Sequence, residues 1–148
     1  MQLQSILTPE RTFCRVTGAS KKRVIESITR FIHTDQPALD PDDLFEHLVA
    51  REKLGSTGLG NGIAIPHCRI KNCSSIVGCL LTLDQAVDFD AIDGQPVDIV
   101  FTLLVPEEAH DDHLQALAQL AQRFSEPTFC AALRAAENKE DLYHAAIT

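Results

Sequence analysis

The segment from Gly55 to His67, which reads GSTGLGNGIAIPH, constrains this chain more than any other part of it. Four of its first eight residues are glycines, and because glycine has no Cβ, the backbone here can turn sharply and pass close to a ligand. Ile63-Ala64-Ile65 predicts a short buried strand, which Pro66 ends because proline has no N–H to donate to a sheet. The imidazole of His67 follows this strand and is expected to lie beside a loop rich in exposed N–H groups. This arrangement predicts a site for an anion, and the anion that we expect is a phosphoryl group.

The length of the chain predicts its domain count, and its charge disfavours nucleic acid and anionic membranes as partners. The chain has 148 residues, which predicts one domain over residues 1–148 with a core of its own. Its 13 basic and 21 acidic side chains give a net charge of −8, which opposes DNA, RNA or an anionic membrane as the main partner. The absence of Trp and the single Tyr also argue against an aromatic platform for nucleic acid. This negative field favours the approach of a basic protein instead.

The sequence carries no feature typical of export or membrane insertion. Residues 1–5 lack the basic start and the apolar core of a secretory signal. The longest nearly apolar run, Ile76 to Leu83, is far shorter than the roughly 20 residues that cross a bilayer. We therefore expect a cytoplasmic protein that is not embedded in a membrane. We expect reduced thiols at its odd number of cysteines, which are Cys14, Cys68, Cys73, Cys79 and Cys130.

The first half of the chain predicts one strand and two helices before the glycine-rich segment. Residues 12–16 predict the strand, and Ser20 is placed to cap the first helix. Asp40-Pro41 starts the second helix with a capping aspartate and a proline at its first position, and Gly55 ends it. Apolar residues recur with helical spacing in both helices, at Val24, Ile25, Ile28, Phe31 and Ile32 and then at Leu44, Phe45, Leu48 and Val49.

The second half predicts two strands followed by helices. Residues 75–83 and 97–105 are rich in β-branched and apolar residues, and Asp93-Gly94 marks a turn between them. Asp111 and Asp112 open a helix, Pro127 opens another that runs to Arg134, and a short last helix begins at residue 138 or 139. We predict an α/β fold: a single domain with a mixed β-sheet flanked by helices on both faces.

Two interpretations of His67 follow from its surroundings. In one, it is an ordinary histidine whose ring bonds to a backbone carbonyl. In the other, its neutral imidazole acts as a nucleophile near pH 7 and holds a phosphoryl group as a phosphoramidate, ready to pass it on. The glycine-rich loop and Pro66, which fixes the approach of the next residue, favour the second interpretation.

The same segment resembles a known family. The run from Glu52 to Cys68, with Leu59-Gly60 followed by IAIPH at residues 63–67, resembles the phosphorylation-site segment of the mannitol/fructose-type IIA domains. These domains belong to the bacterial phosphoenolpyruvate-dependent phosphotransferase system. The string REKLGSTG at residues 51–58 is most similar to the nitrogen-regulatory branch. The resemblance covers nearly the whole chain.

The resemblance implies roles for three residues. His67 would accept the phosphoryl group on Nε2, His113 would be a second active-site histidine, and Arg51 would lie beside the phosphoryl group. Each role agrees with simple chemistry, because a helix N-terminus at His113 favours an anion, and the guanidinium of Arg51 is a fork of donors. The sequence alone also allows a solvated His113 and an Arg51 that only completes its helix. Ser56 and Thr57 could bind phosphate through their hydroxyls or could cap the turn.

The implied chemistry needs neither a metal nor a cofactor. The donor would be a phosphohistidine on a small histidine-containing phosphocarrier protein, and catalysis would consist mainly of alignment and charge stabilisation. Asp111 and Asp112 would oppose the anion unless their side chains point to solvent. A nitrogen-type IIA would use its phosphorylation state to control partners such as potassium-transport proteins or sensor kinases. A sugar-transport IIA would instead pass the phosphate to a IIB domain.

Three other classes of function compete with this interpretation. A nucleotide loop is disfavoured, because no Gly-Lys-Ser/Thr follows the glycines and they precede a strand instead of following one. A metal site lacks a Cys-x-x-Cys pair, although it has candidate ligands at His67, Cys68, Cys73, Cys79, His110 and His113. An interaction module without covalent chemistry overlaps with the favoured interpretation, since phosphorylation itself adds about −1.5 to −2 charges to a surface.

Overall fold

Strands and helices follow one another along the chain largely as their patterns predict. The computed structural model describes residues 2–109 and 112–148, with Asp112 described by its backbone alone. Its strands are β1 Thr12–Val16, β2 Gly58–Gly60, β3 Ile63–Ala64, β4 His67–Ile70, β5 Val77–Val87 and β6 Val97–Pro106. Its helices are α1 Lys21–Asp35, α2 Pro41–Leu54, α3 Asp112–Phe124, α4 Pro127–Ala135 and α5 Lys139–Ile147.

The helix starts follow from their capping residues. The Ser20 side chain accepts a hydrogen bond from the Arg23 N–H at α1, and Asp40 accepts one from the Asp43 N–H at α2, so both predicted caps are confirmed. Asn138 caps α5 in the same way. The predicted start of α3 at Asp111 lies outside the described residues.

The six strands of the described chain form one mixed sheet in the order β1-β5-β6-β3-β2, with β4 also paired to β6. The central pair, β5 and β6, is antiparallel, whereas β1 pairs in parallel with β5 and both β3 and β4 pair in parallel with β6. Because β3 and β4 lie one after the other along the same side of β6, the break between them at Ile65-Pro66 places His67 at the start of a new edge segment.

Successive side chains of the central strands point to opposite faces of the sheet, so each face has its own apolar core. Val100 and Leu104 of β6 pack into the first core, which holds the apolar faces of α1 and α2. Phe101 and Leu103 pack into the second core, which holds those of α3, α4 and α5. The predicted mixed α/β fold with helices on both faces is confirmed.

The glycine-rich segment differs from the predicted loop, because part of it is a β-hairpin. Gly58–Gly60 is strand β2, and it pairs antiparallel with β3. Asn61 and Gly62 join them with φ values of 57° and 81°, which suit the tight Asn-Gly turn of a hairpin. The predicted strand at Ile63-Ala64-Ile65 is also shorter than expected, since β3 ends at Ala64.

All five cysteines are free thiols. In the described part of the chain, no helix combines the length and the apolar character that crossing a membrane requires.

Candidate functional site

The His67 ring is oriented by its own backbone. Its Nδ1 lies 2.8 Å from the carbonyl oxygen of Ile65. Because a carbonyl oxygen can only accept a hydrogen bond, Nδ1 carries the proton and donates it. Nε2 therefore holds the lone pair. The ring adopts the bond to a backbone carbonyl that the simpler interpretation of His67 expects, and this bond also determines which nitrogen keeps its lone pair.

Arg51 reaches His67 from the end of α2. Its Nε donates to Nε2 of His67 at 3.2 Å, and its Nη1 donates to the carbonyl oxygen of Gly55 at 2.8 Å. The second bond joins the last turn of the helix to the glycine that ends it. Arg51 is thus held at the lone pair of His67, and its place beside a phosphoryl group stays a prediction.

His113 lies in the first turn of α3 and faces the same pocket as His67. A terminal nitrogen of Arg69, Nη2, lies 3.3 Å from both ring nitrogens of His113. Arg69 is not among the site residues predicted from the sequence. The signal was present, because side chains two apart in a strand share one side, and Arg69 follows His67 by two residues in β4.

These side chains surround one open pocket with a volume of about 540 Å³. The pocket lies at the edge of the sheet where β4 passes between the end of α2 and the start of α3. Its walls are contributed by α2, β4, β6 and α3, namely His47, Ala50, Arg51, Leu54, His67, Cys68, Arg69, Leu103, Val105, His113, Leu114 and Leu117. The structure therefore brings His67, Arg51 and His113 to one pocket from distant parts of the sequence, and their roles at a phosphoryl group stay predictions.

The environment of His67 favours its neutral form. Partial burial is the largest cause that lowers its pKa below the ordinary value of 6.5, and the positive charge of Arg51 and the neighbouring His113 lower it further. The Ile65 carbonyl and the Glu52 carboxylate act in the opposite direction but do not outweigh these effects. The ring is therefore an uncharged imidazole at neutral pH, as a nucleophile must be.

We predict that the His67 ring titrates with a midpoint below 6.5, measured from its ring-proton NMR resonances against pH. The unfolded chain then binds a proton at a higher pH than the folded chain does. The contribution of His67 to stability is consequently complete above about pH 6.5 and declines as the pH falls below it. Arg51→Gln should raise the midpoint, because it removes a positive charge. A midpoint at or above 6.5 in the wild-type chain would contradict the prediction.

Ser56 and Thr57 use their hydroxyl groups away from the pocket. Ser56 Oγ donates to the carbonyl oxygen of Phe89 at 2.6 Å, and Thr57 Oγ1 donates to Glu52 Oε1. Neither residue lines the pocket at His67. Their predicted contact with phosphate stays a prediction, and it would require both hydroxyls to exchange these partners.

The N–H groups of the glycine-rich segment are also engaged elsewhere. The N–H groups of Thr57, Gly58 and Asn61 donate to Glu52, to the Ser56 hydroxyl and to Asp93 respectively. The expectation of a loop that presents these donors to His67 is therefore wrong for these three residues. These bonds hold the hairpin in place instead.

Glu52 is a second residue that the sequence analysis did not single out. Its side chain is only 6% exposed, yet it accepts from both Thr57 donors and pairs with Lys21 at 2.8 Å. The Thr57 carbonyl in turn accepts from the Ile65 N–H at 3.1 Å. Glu52 thus anchors the backbone whose Ile65 carbonyl orients the His67 ring.

The metal-site alternative finds no support among the described residues. There, no three His, Cys, Asp or Glu side chains are grouped so that they could hold a metal ion. Burial raises the pKa of the Cys68 thiol to about 12, so this pocket-lining thiol is protonated. His110, one of the candidate ligands, lies outside the described residues.

Proteins of known structure share the fold of this chain. A structure of Escherichia coli mannitol enzyme IIA in complex with phosphorylated mannitol enzyme IIB has a similar fold, with a TM-score of 0.76 at 17% identity over 95% of this chain and 96% of that one. The nitrogen regulatory protein IIA-Ntr of Neisseria meningitidis is more similar, with a TM-score of 0.89 at 38% identity over 96% of this chain and 97% of that one. The architecture is thus that of the IIA domains.

The sequence comparisons define the family. Residues 5–147 match the model of the family described as phosphoenolpyruvate-dependent sugar phosphotransferase system, EIIA 2. The nitrogen regulatory protein of Pseudomonas aeruginosa is 51% identical over 143 residues, which cover 97% of this chain and 93% of that protein. The chain therefore belongs to the EIIA 2 family of the phosphotransferase system, in its nitrogen-regulatory branch. The resemblance drawn from residues 51–68 is confirmed.

Proposed function

We propose that this chain is a regulatory phosphocarrier that accepts a phosphoryl group on Nε2 of His67 from a histidine-containing phosphocarrier protein. The observation that carries this proposal is the orientation of the ring: Nδ1 is bonded to the Ile65 carbonyl, and Nε2 points at Arg51 in an open pocket. A neutral imidazole held in this way is ready to attack phosphorus.

The transfer step moves one phosphoryl group and no proton between the two rings. The lone pair on Nε2 forms a bond to phosphorus while the N–P bond of the donor phosphohistidine breaks. The electron pair of that bond returns to the donor nitrogen. Because each ring keeps one N–H on its other nitrogen, the donor leaves as a neutral imidazole, and the His67 N–H remains bonded to Ile65. Such a balanced exchange depends on alignment more than on driving force.

Arg51 and His113 then have separate roles. Arg51 leaves the lone pair when the bond to phosphorus forms, and its guanidinium contacts a phosphoryl oxygen instead. His113 approaches the same group from the N-terminal turn of α3, where the helix dipole also favours an anion. Neither role needs a metal or a cofactor.

The proposed partners follow from the family. The chain would act in the cytoplasm on proteins that distinguish its phosphorylated form from its unphosphorylated form, such as potassium-transport proteins or sensor kinases. Its similarity to proteins named nitrogen regulatory proteins favours this role. The alternative is a sugar-transport IIA that passes the phosphate to a IIB domain.

A reconstituted relay tests the proposal. We expect the chain to gain the mass of one phosphoryl group when it is incubated with phosphoenolpyruvate and the general phosphotransferase proteins, with peptide mapping to His67. Omission of the histidine-containing carrier should prevent the gain. No gain in the complete mixture would contradict the proposal, and efficient onward transfer to a purified IIB domain would favour the transport alternative.

A further inference from the structure

Arg69 is a positively charged residue of the pocket, and the proposed function assigns no role to it. It follows His67 by two residues in β4, on the side of the strand opposite Cys68 and Ile70, which pack against the first core. Both Arg69 and His67 line the pocket. Because β4 is an extended strand, the Cβ atoms of His67 and Arg69 lie about 7 Å apart. The long side chain of Arg69 can therefore reach an anion that is bound at His67.

The present contact of Arg69 leaves its charge available. Its Nη2 lies 3.3 Å from both ring nitrogens of His113, a position that is not on the lone-pair axis of either nitrogen. Among the side chains that the structure describes, no carboxylate lies within 4.0 Å of the Arg69 guanidinium. Asp43 and Glu107 line a smaller neighbouring pocket together with Arg69, but they form no ion pair with it.

The charge of a phosphorylated His67 calls for more than one cation. A phosphoryl group brings about −1.5 to −2 charges and three acceptor oxygens into a chain whose net charge is already −8. Arg51 supplies one positive charge, and one of its terminal nitrogens is already bonded to the Gly55 carbonyl. A second guanidinium on the opposite wall would complete the neutralisation, and its planar fork suits two phosphoryl oxygens.

We propose that Arg69 is a phosphoryl-binding residue that moves from the His113 ring onto the phosphoryl oxygens as the group arrives at Nε2. This proposal rests on the proposed function and assigns a further ligand of the transferred group. Arg51 and Arg69 then hold the anion from two sides, while the bond that forms and the bond that breaks stay those of the transfer step described above.

The test uses Arg69→Gln, which removes the charge and keeps a polar but shorter side chain. Phosphoryl acceptance is measured with two donors, the phosphorylated carrier protein and phosphoramidate, a small molecule that has no protein surface to dock. We expect Arg69→Gln to slow acceptance from both donors by about 10- to 100-fold. Arg69→Lys should lie between this variant and the wild type, because it keeps the charge and loses the fork.

The matched control is Arg30→Gln, which removes the same charge from an exposed position on α1 that does not line the pocket. It should retain the wild-type rate within about twofold, since a remote surface charge is screened. An equal loss in Arg30→Gln would overturn the proposal in favour of a general charge effect. A loss with the carrier alone would also overturn it, because Arg69 would then be a docking residue.

These outcomes are separate from failure of the proposed function. If wild-type protein accepts no phosphoryl group from either donor, the role of His67 itself is wrong. If the wild type is labelled and Arg69→Gln is labelled at the same rate, only the assignment of Arg69 fails.

Discussion

The His67→Ala variant is expected to accept no phosphoryl group from the phosphorylated carrier, under conditions in which the wild-type chain is fully labelled. Under the proposed function Nε2 of His67 forms the bond to phosphorus, and alanine offers no nitrogen at that place. The rate should therefore fall to background. Transfer of labelled phosphate from phosphoenolpyruvate through the general proteins, followed by mass analysis, measures this loss.

Two further variants make the result interpretable. His144→Ala removes an exposed histidine on α5, which does not line the pocket, and should be labelled like the wild type. His67→Gln keeps a polar side chain at the site in case the smaller alanine disturbs the fold, which circular dichroism checks. Labelling of either His67 variant at the wild-type rate would move the acceptor to another residue.

The parts of the fold that were predicted well are those governed by local chemistry. Ser20, Asp40 and Asn138 cap helices α1, α2 and α5, which were predicted from local start signals, and Gly55 ends α2 with a φ of 154°. In each case the deciding contact lies within four residues. The apolar runs that became β5 and β6 were found for a related reason, because a strand buried on both faces is apolar at nearly every position.

The glycine-rich segment was harder to predict because its structure depends on distant partners. The Asn61-Gly62 dipeptide is a hairpin signal, but the two-residue β3 depends on pairing with β2 on one side and with the distant Ile99 and Val100 of β6 on the other. The same limit applies to Arg69 and Glu52. The spacing within β4 places Arg69 on the same side as His67, but its contact with His113 joins residues 44 positions apart. Glu52 bonds to Thr57 five residues later and to Lys21 31 residues earlier, and these partners lie in separate elements or in a turn.

The two interpretations of His67 prove to be compatible. A ring that bonds to a backbone carbonyl was the simpler alternative to a nucleophile, yet the bond to the Ile65 carbonyl holds the proton on Nδ1 and turns Nε2 toward Arg51. The sequence could place an imidazole after Pro66. It could not give the direction of the ring, which depends on the path of the backbone between residues 57 and 65 and on the contacts that hold it.

Glu52 holds that path, and Glu52→Ala is expected to destabilise the protein by about 3 kcal/mol. The substitution leaves the N–H and the hydroxyl of buried Thr57 without their acceptor, and an unsatisfied buried donor costs about 1–3 kcal/mol. It also removes the nearer of two carboxylate partners of Lys21, although that side chain keeps Asp90 at 3.7 Å and is 21% exposed, so it can regain water. Urea unfolding measures the loss as a lower midpoint at an unchanged slope.

Glu26→Ala is the matched control, because it removes a carboxylate that pairs with Arg23 on the exposed surface of α1. It should change stability by no more than about 0.5 kcal/mol. Glu52→Ala should also slow phosphoryl acceptance by about tenfold at a temperature where it stays folded, since the Thr57 carbonyl no longer holds the Ile65 N–H in register and the His67 ring loses its alignment. Equal stability of the two variants would show that Glu52 anchors nothing. A destabilised Glu52→Ala that accepts phosphate at the wild-type rate would show that its anchoring does not extend to the ring.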